Sequence, residues 1–113
     1  MIRLVIADDH ELVREGLRSL LEMSEDVKVV AEATNGPEAL AATIEHSPDV
    51  LVADLVMPGF DGVELVRRAR VQAPATRVLI LTNFMDDSRV REALRAGAMG
   101  YLLKDVLRQD LLR

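Results

Sequence analysis

One pattern occurs five times in 113 residues: a short apolar run followed by an amphipathic stretch. The runs cover residues 2–7, 27–33, 50–53, 78–81 and 99–103, about 24 residues apart. That spacing is the length of a strand, a helix and two loops in a βα unit. Strands alternating with helices imply a parallel sheet with helices on both faces. The runs at 50–53 and 78–81 are continuously apolar, as suits central strands covered on both sides. The run at 27–33 largely alternates, which suits an edge.

The stretches between the runs carry helical periodicity. Leu12, Val13, Leu17, Leu20 and Leu21 are assigned to one face of the first helix. Pro37 suits the first turn of the second, with Leu40 and Ile44 inward. Leu65, Val66 and Ala69 mark the third; Val90, Ala93 and Leu94 mark the fourth, with Gly97 as its stop. Asp105 can cap a fifth helix with Leu107, Leu111 and Leu112. That helix has about two turns before Arg113, so the last helix reads as truncated, as if cut within a longer protein. Together these features fit a flavodoxin-like, doubly wound, five-stranded parallel sheet in the order 2-1-3-4-5. The strand compositions agree with that order without deriving it.

Composition removes several function classes. There is no cysteine, which excludes thiolate metal sites, disulfides and thiol nucleophiles. Aromatics are 3% of the chain, too few for base-stacking platforms. The net charge of -5 argues against a grip on nucleic-acid backbones by this chain itself. No apolar run approaches the roughly 20 residues of a membrane helix, and the N-terminus has no secretory pattern, so a cytoplasmic setting is expected.

Parallel sheets place ligands beyond the carboxyl ends of their strands, where strand order reverses. In the order above, Asp8, Asp9 and Asp54 share one crevice, and three carboxylates so close require a positive charge between them. Oxygen ligands without cysteine or a suitable histidine point to Mg²⁺. Thr82 and Lys104 enter from the other side. Acidic metal ligands, a further carboxylate, a hydroxyl and a lysine make a phosphoryl-transfer site. Taken singly, Asp8-Asp9 reads as a helix cap, Asp54 as a turn residue and Lys104 as a solvated charge. His10 reads as a local hydrogen-bonder, and the arginines of the third and fourth helices read as solvated faces, with Arg89, Arg91 and Arg95 of the fourth also able to meet a partner. The combination at four strand ends is what carries the functional reading.

The same residues lie in Ile6-Ala7-Asp8-Asp9-His10, Asp54-Leu55-Val56-Met57-Pro58-Gly59-Phe60-Asp61-Gly62, Leu79-Ile80-Leu81-Thr82 and Gly97-Ala98-Met99-Gly100-Tyr101-Leu102-Leu103-Lys104-Asp105. With these motifs the whole chain, residues 1–113, resembles the receiver domain of a two-component response regulator, in particular the NarL type. That resemblance implies a signalling switch rather than an enzyme, with Asp54 accepting a phosphoryl group from a sensor histidine kinase. It implies Mg²⁺ held by Asp8 or Asp9, Asp54 and the Val56 carbonyl. It implies that Lys104 pairs with a phosphoryl oxygen, that Thr82 and Tyr101 form the switch, and that Pro58 and Gly62 shape the loop. It further implies homodimerisation on activation, and DNA contact only through a C-terminal domain that lies outside this chain. Many members carry proline, often cis, after the lysine, where this chain has Asp105; the position after the threonine is usually small, and here it is Asn83. Val56, Asn83 and Phe84 are expected to govern water access to the phosphoryl group.

Other functions compete. A haloacid dehalogenase-type phosphatase places its nucleophile and a second acid two residues apart, whereas Asp54-Leu55-Val56 lacks the second acid. A flavin module needs a phosphate loop after the first strand, where Asp8-Asp9 would repel phosphate. An inert pseudo-receiver would be expected to lack phosphorylation residues that are all present here.

Overall fold

A computed structural model describes residues 1–83 and 88–105. The chain runs β1 (Ile2–Ala7), α1 (Glu11–Leu21), β2 (Val27–Ala33), α2 (Gly36–His46), β3 (Val50–Asp54), α3 (Gly62–Gln72), β4 (Arg77–Thr82), α4 (Ser88–Ala96) and β5 (Gly100–Leu103). The five strands are all parallel, in the order β2-β1-β3-β4-β5. This is the expected doubly wound sheet, with the alternating strand β2 at its edge. Phe84, Leu107, Leu111 and Leu112 lie outside the described residues.

The side-chain period of two sends alternate residues of each strand to opposite faces. Val5, Ala7, Leu51, Ala53, Val78 and Ile80 join the core beneath α2, α3 and α4. Leu4, Ile6, Val52 and Leu81 join Leu17 of α1 on the other face. Burial on both faces explains why the central strands read as unbroken apolar runs.

Three helical assignments need correction. Leu12 is 80% exposed. At 100° per residue it points about 140° away from Leu17, so the two do not share a face. Ile44 is also exposed, because the buried side of α2 is centred on Gly36, Ala39, Leu40 and Thr43. Thr43 tolerates that burial by donating its hydroxyl to the Ala39 carbonyl at 2.7 Å. Leu94 stands at the margin of the α4 stripe, where Val90 and Ala93 are buried. Gly97 does end α4, with φ +121. The α4 end is also held by Arg70, whose Nη1 donates to the Ala96 carbonyl at 3.0 Å. Asp105 is not placed as a cap, since Lys104 is already helical.

Candidate functional site

Four strand ends converge at one rim of the sheet. Asp8 follows β1, Asp54 ends β3, Thr82 ends β4 and Lys104 follows β5. All four are buried, with exposures of 0%, 5%, 2% and 6%. Charged groups withdrawn from water this far must be paired. Lys104 supplies the pairing: its Nζ donates to Asp54 Oδ2 at 2.8 Å and lies 2.9 Å from Asp8 Oδ2. Asp54 Oδ1 accepts the Val56 backbone N–H at 3.3 Å.

The turn after β3 holds Asp54 in place. Leu55 N–H donates to the Leu81 carbonyl at 2.9 Å, and Gly62 N–H donates back to the Leu55 carbonyl at 2.8 Å. α3 therefore starts almost on top of the strand end. A Cβ at Gly62 would stand 2.8 Å from the Asp54 carbonyl oxygen, so only glycine permits the approach. Asp61 caps α3 by accepting the Glu64 N–H at 3.0 Å, an interaction worth about 1 kcal/mol. The Pro58 carbonyl accepts the Gly36 N–H at 3.1 Å and ties the loop to α2.

Asp8 is oriented from its own strand end. Its N–H donates to the Ala33 carbonyl at 3.0 Å, and its carbonyl accepts from Arg14 Nη1 at 2.7 Å. Its Oδ1 accepts both the His10 N–H at 2.8 Å and His10 Nδ1 at 2.9 Å. The helix-cap reading of Asp8-Asp9 does not hold, because His10 occupies the N-cap position of α1. His10 is thus the local hydrogen-bonder the sequence suggests, whereas nothing in the sequence marks Arg14 as the support of Asp8. Arg14 sits in an amphipathic helix, where arginine ordinarily signifies a solvated face.

An open crevice of about 250 Å³ lies over these groups, with Asp9, His10, Asp54, Val56, Thr82 and Lys104 among its lining. Asn83 and Arg89 also line it, so Arg89 belongs to the rim of the crevice and not only to a solvated helix face. Asp9 and Val56 are on the exposed rim. Tyr101 is exposed on β5 and does not line the crevice. Among the described residues there is no cis peptide bond, so the Lys104–Asp105 link is trans.

The electrostatics follow from burial. Loss of water raises the Asp54 carboxyl above its ordinary range; Lys104 opposes the rise and the Asp8 carboxylate adds to it. Burial alone would lower the Lys104 ammonium, but its bonds to Asp54 and Asp8 outweigh that and move it upward. Ligand atoms of Asp8, Asp9, His10 and Asp54 all lie within 4.8 Å of one another. Asp8 Oδ2 is buried and is partnered by the Lys104 ammonium at 2.9 Å, a single cation that it shares with Asp54. An oxygen-rich set with one ammonium between two carboxylates fits a hard divalent cation.

The family model for the response regulator receiver domain matches residues 4–113. The chain belongs to the response regulator receiver domain family. Receiver domains are phosphorylation-dependent signalling switches and not classical enzymes. This receiver domain is 43% identical over 104 residues to the transcriptional regulatory protein LiaR of Bacillus subtilis, covering 92% of this chain and 49% of that one. It is 40% identical over 110 residues to the response regulator VraR of Staphylococcus aureus, covering 97% and 53%. The chain thus spans about half the length of the curated relatives it matches. Among solved structures, it superposes with a TM-score of 0.90 on a signal receiver domain described as that of NarL from Mycobacterium tuberculosis. Identity there is 40%, and coverage is 98% of this chain and 90% of that one. Among the described residues of this receiver domain, no helix is long and apolar enough to cross a membrane.

Proposed function

We propose that this receiver domain takes a phosphoryl group onto Asp54 from a phosphohistidine of a sensor histidine kinase. The observation that supports this reading is the buried Asp8–Lys104–Asp54 arrangement beneath an open crevice. An Asp54 carboxylate oxygen attacks phosphorus, the P–N bond breaks, and the imidazole leaves with the bonding electrons. Oδ1 is the better placed nucleophile, since Oδ2 is engaged by the ammonium at 2.8 Å while Oδ1 has only the 3.3 Å bond from Val56. Lys104 neutralises a phosphoryl oxygen and the Thr82 hydroxyl donates to another. Mg²⁺, when bound, neutralises charge on the transferring group. Asp8, Asp9 and Asp54, with the Val56 carbonyl, would hold it.

The aspartyl phosphate shifts the domain between two states through Thr82 and Tyr101, favours a homodimer, and controls transcription through a DNA-binding domain beyond this chain. The transcriptional roles of LiaR and VraR support that output. Incubation with phosphoramidate and Mg²⁺, followed by intact-mass measurement, tests the reading. One added phosphoryl group is expected, absent from Asp54→Asn; equal labelling of that variant places the acceptor elsewhere.

A further inference from the structure

We propose that Arg89 of α4 binds the phosphoryl oxygens of the incoming donor, a second fixed cation beside Lys104 that makes the crevice favour doubly charged phosphodonors. The inference rests on the phosphoacceptor reading above and deepens it. Arg89 comes from a helix, whereas Asp8, Asp54, Thr82 and Lys104 all come from the ends of strands.

The three arginines of α4 do not stand alike. Arg91 and Arg95 are exposed, whereas Arg89, in the first turn, is half-buried. Val90 and Ala93 are buried in the core and fix the rotation of the helix. In that setting Arg89 lines the crevice of about 250 Å³ together with Asp54, Thr82, Asn83 and Lys104. Arg95 instead borders a separate surface hollow with Arg67 and Glu92.

Lys104 alone does not balance a phosphoryl group here. Its ammonium is already shared between Asp8 Oδ2 at 2.9 Å and Asp54 Oδ2 at 2.8 Å. A phosphoryl group brings about two further negative charges. Added to the carboxylates of Asp8, Asp9 and Asp54, these outnumber the ammonium even with a divalent ion among them. Repulsion in a site partly closed to water is stronger than in bulk solvent. Among the described residues lining the crevice, the remaining basic side chains are His10, held by Asp8 and Asp9 at 2.9 and 3.1 Å, and Arg89. A guanidinium presents a planar fork of donors that matches phosphoryl oxygens.

Labelling rates with acetyl phosphate and with phosphoramidate, read by intact mass in the presence of Mg²⁺, test this in the wild-type chain, Arg89→Gln and Arg89→Lys. Acetyl phosphate is a dianion at neutral pH and phosphoramidate largely a monoanion, so the ratio of the two rates reads charge selection. Both donors meet the same protein, so partial unfolding of a variant cancels from the ratio. In Arg89→Gln the acetyl phosphate rate should fall about tenfold, the loss of one charge-assisted contact, and the phosphoramidate rate about threefold at most. Arg89→Lys keeps the charge and should restore most of the ratio. An unchanged ratio in Arg89→Gln, with Asp54 still labelled, overturns the role of Arg89 and leaves the phosphoacceptor reading standing. If labelling survives Asp54→Asn, or the wild type takes no phosphoryl group from either donor, that reading fails and the role of Arg89 with it.

Discussion

Lys104 Nζ stands 2.8 Å from Asp54 Oδ2, a bond between residues fifty positions apart. It reaches over the end of β4 to join the ends of β3 and β5. Asp8, 2.9 Å from the same nitrogen, brings in β1. A single ammonium thus balances two carboxylates, and Asp54 carries the uncompensated cost of ionising in a buried place.

That cost has a definite sign with pH. A carboxyl raised above its unfolded value contributes stability that is fully present below about 3.8 and is lost as pH rises through the folded value. Ionised Asp54 therefore weakens the metal-free fold at neutral pH. Asp54→Asn should melt higher than wild type at pH 7.5, and the gap should narrow as pH falls towards 4. Mg²⁺ at ten times its Kd should stabilise the wild type by about 1.4 kcal/mol, and much less so the variant. Thermal melts at several pH values, with and without MgCl₂, check both signs. A gap that widens on acidification contradicts the account.

Gly62→Ala tests the close approach of α3 to Asp54. The added methyl would meet the Asp54 carbonyl oxygen at 2.8 Å and Leu55 Cα at 2.9 Å, both backbone atoms that cannot swing aside. Overpacking of this kind costs about 1–3 kcal/mol. Melting should drop by several degrees, and phosphorylation by phosphoramidate should slow as the carboxylate shifts. A wild-type melt together with a wild-type labelling rate would show that the loop relaxes freely.

Thr82 is buried at the end of β4, whereas Tyr101 is exposed on the neighbouring strand. If the threonine hydroxyl favours the phosphorylated state, Thr82→Ala should still accept phosphate but lose phosphorylation-dependent dimerisation. Sedimentation of labelled and unlabelled protein reads this directly. Dimerisation that survives the substitution removes Thr82 from the switch.

The lifetime of the aspartyl phosphate depends on water in line with the leaving carboxylate. Val56 is 53% exposed beside Asp54, and Phe84 is the second apolar residue proposed to flank that approach. Neither side chain can hold a water or act as a base. Self-dephosphorylation should be slow, and Val56→Asn with Phe84→Glu should accelerate it tenfold or more, a change of about 1.4 kcal/mol in the barrier. Decay of the phosphorylated mass with time measures it; an unchanged half-life removes water access as the control.

The strand order could be supported from sequence because burial on one or two faces leaves different marks. Val27 to Ala33 alternates at an edge, while Leu51 to Ala53 and Val78 to Leu81 do not. The convergence of Asp8, Asp54, Thr82 and Lys104 followed from where parallel strands end. Helix faces were less legible. Leu12 and Ile44 are apolar yet exposed, and Thr43 is polar yet buried through a bond to its own helix. Nor could composition reveal that Arg14 supports Asp8, since that depends on side-chain direction at one turn.

The Arg70 bond to the Ala96 carbonyl fastens one end of α4 to α3, just before the sharp break at Gly97. A helix held at that end would pivot about it, away from the end that lines the crevice. Its nine residues make an arm of about 12 Å. A rotation of about 10° at that point would carry the Ser88 end about 2 Å, a distance set by helix rise alone. Any tilt of α4 about that bond would be largest at the end carrying Arg89, which lines the crevice over Asp54, and least at Ala96.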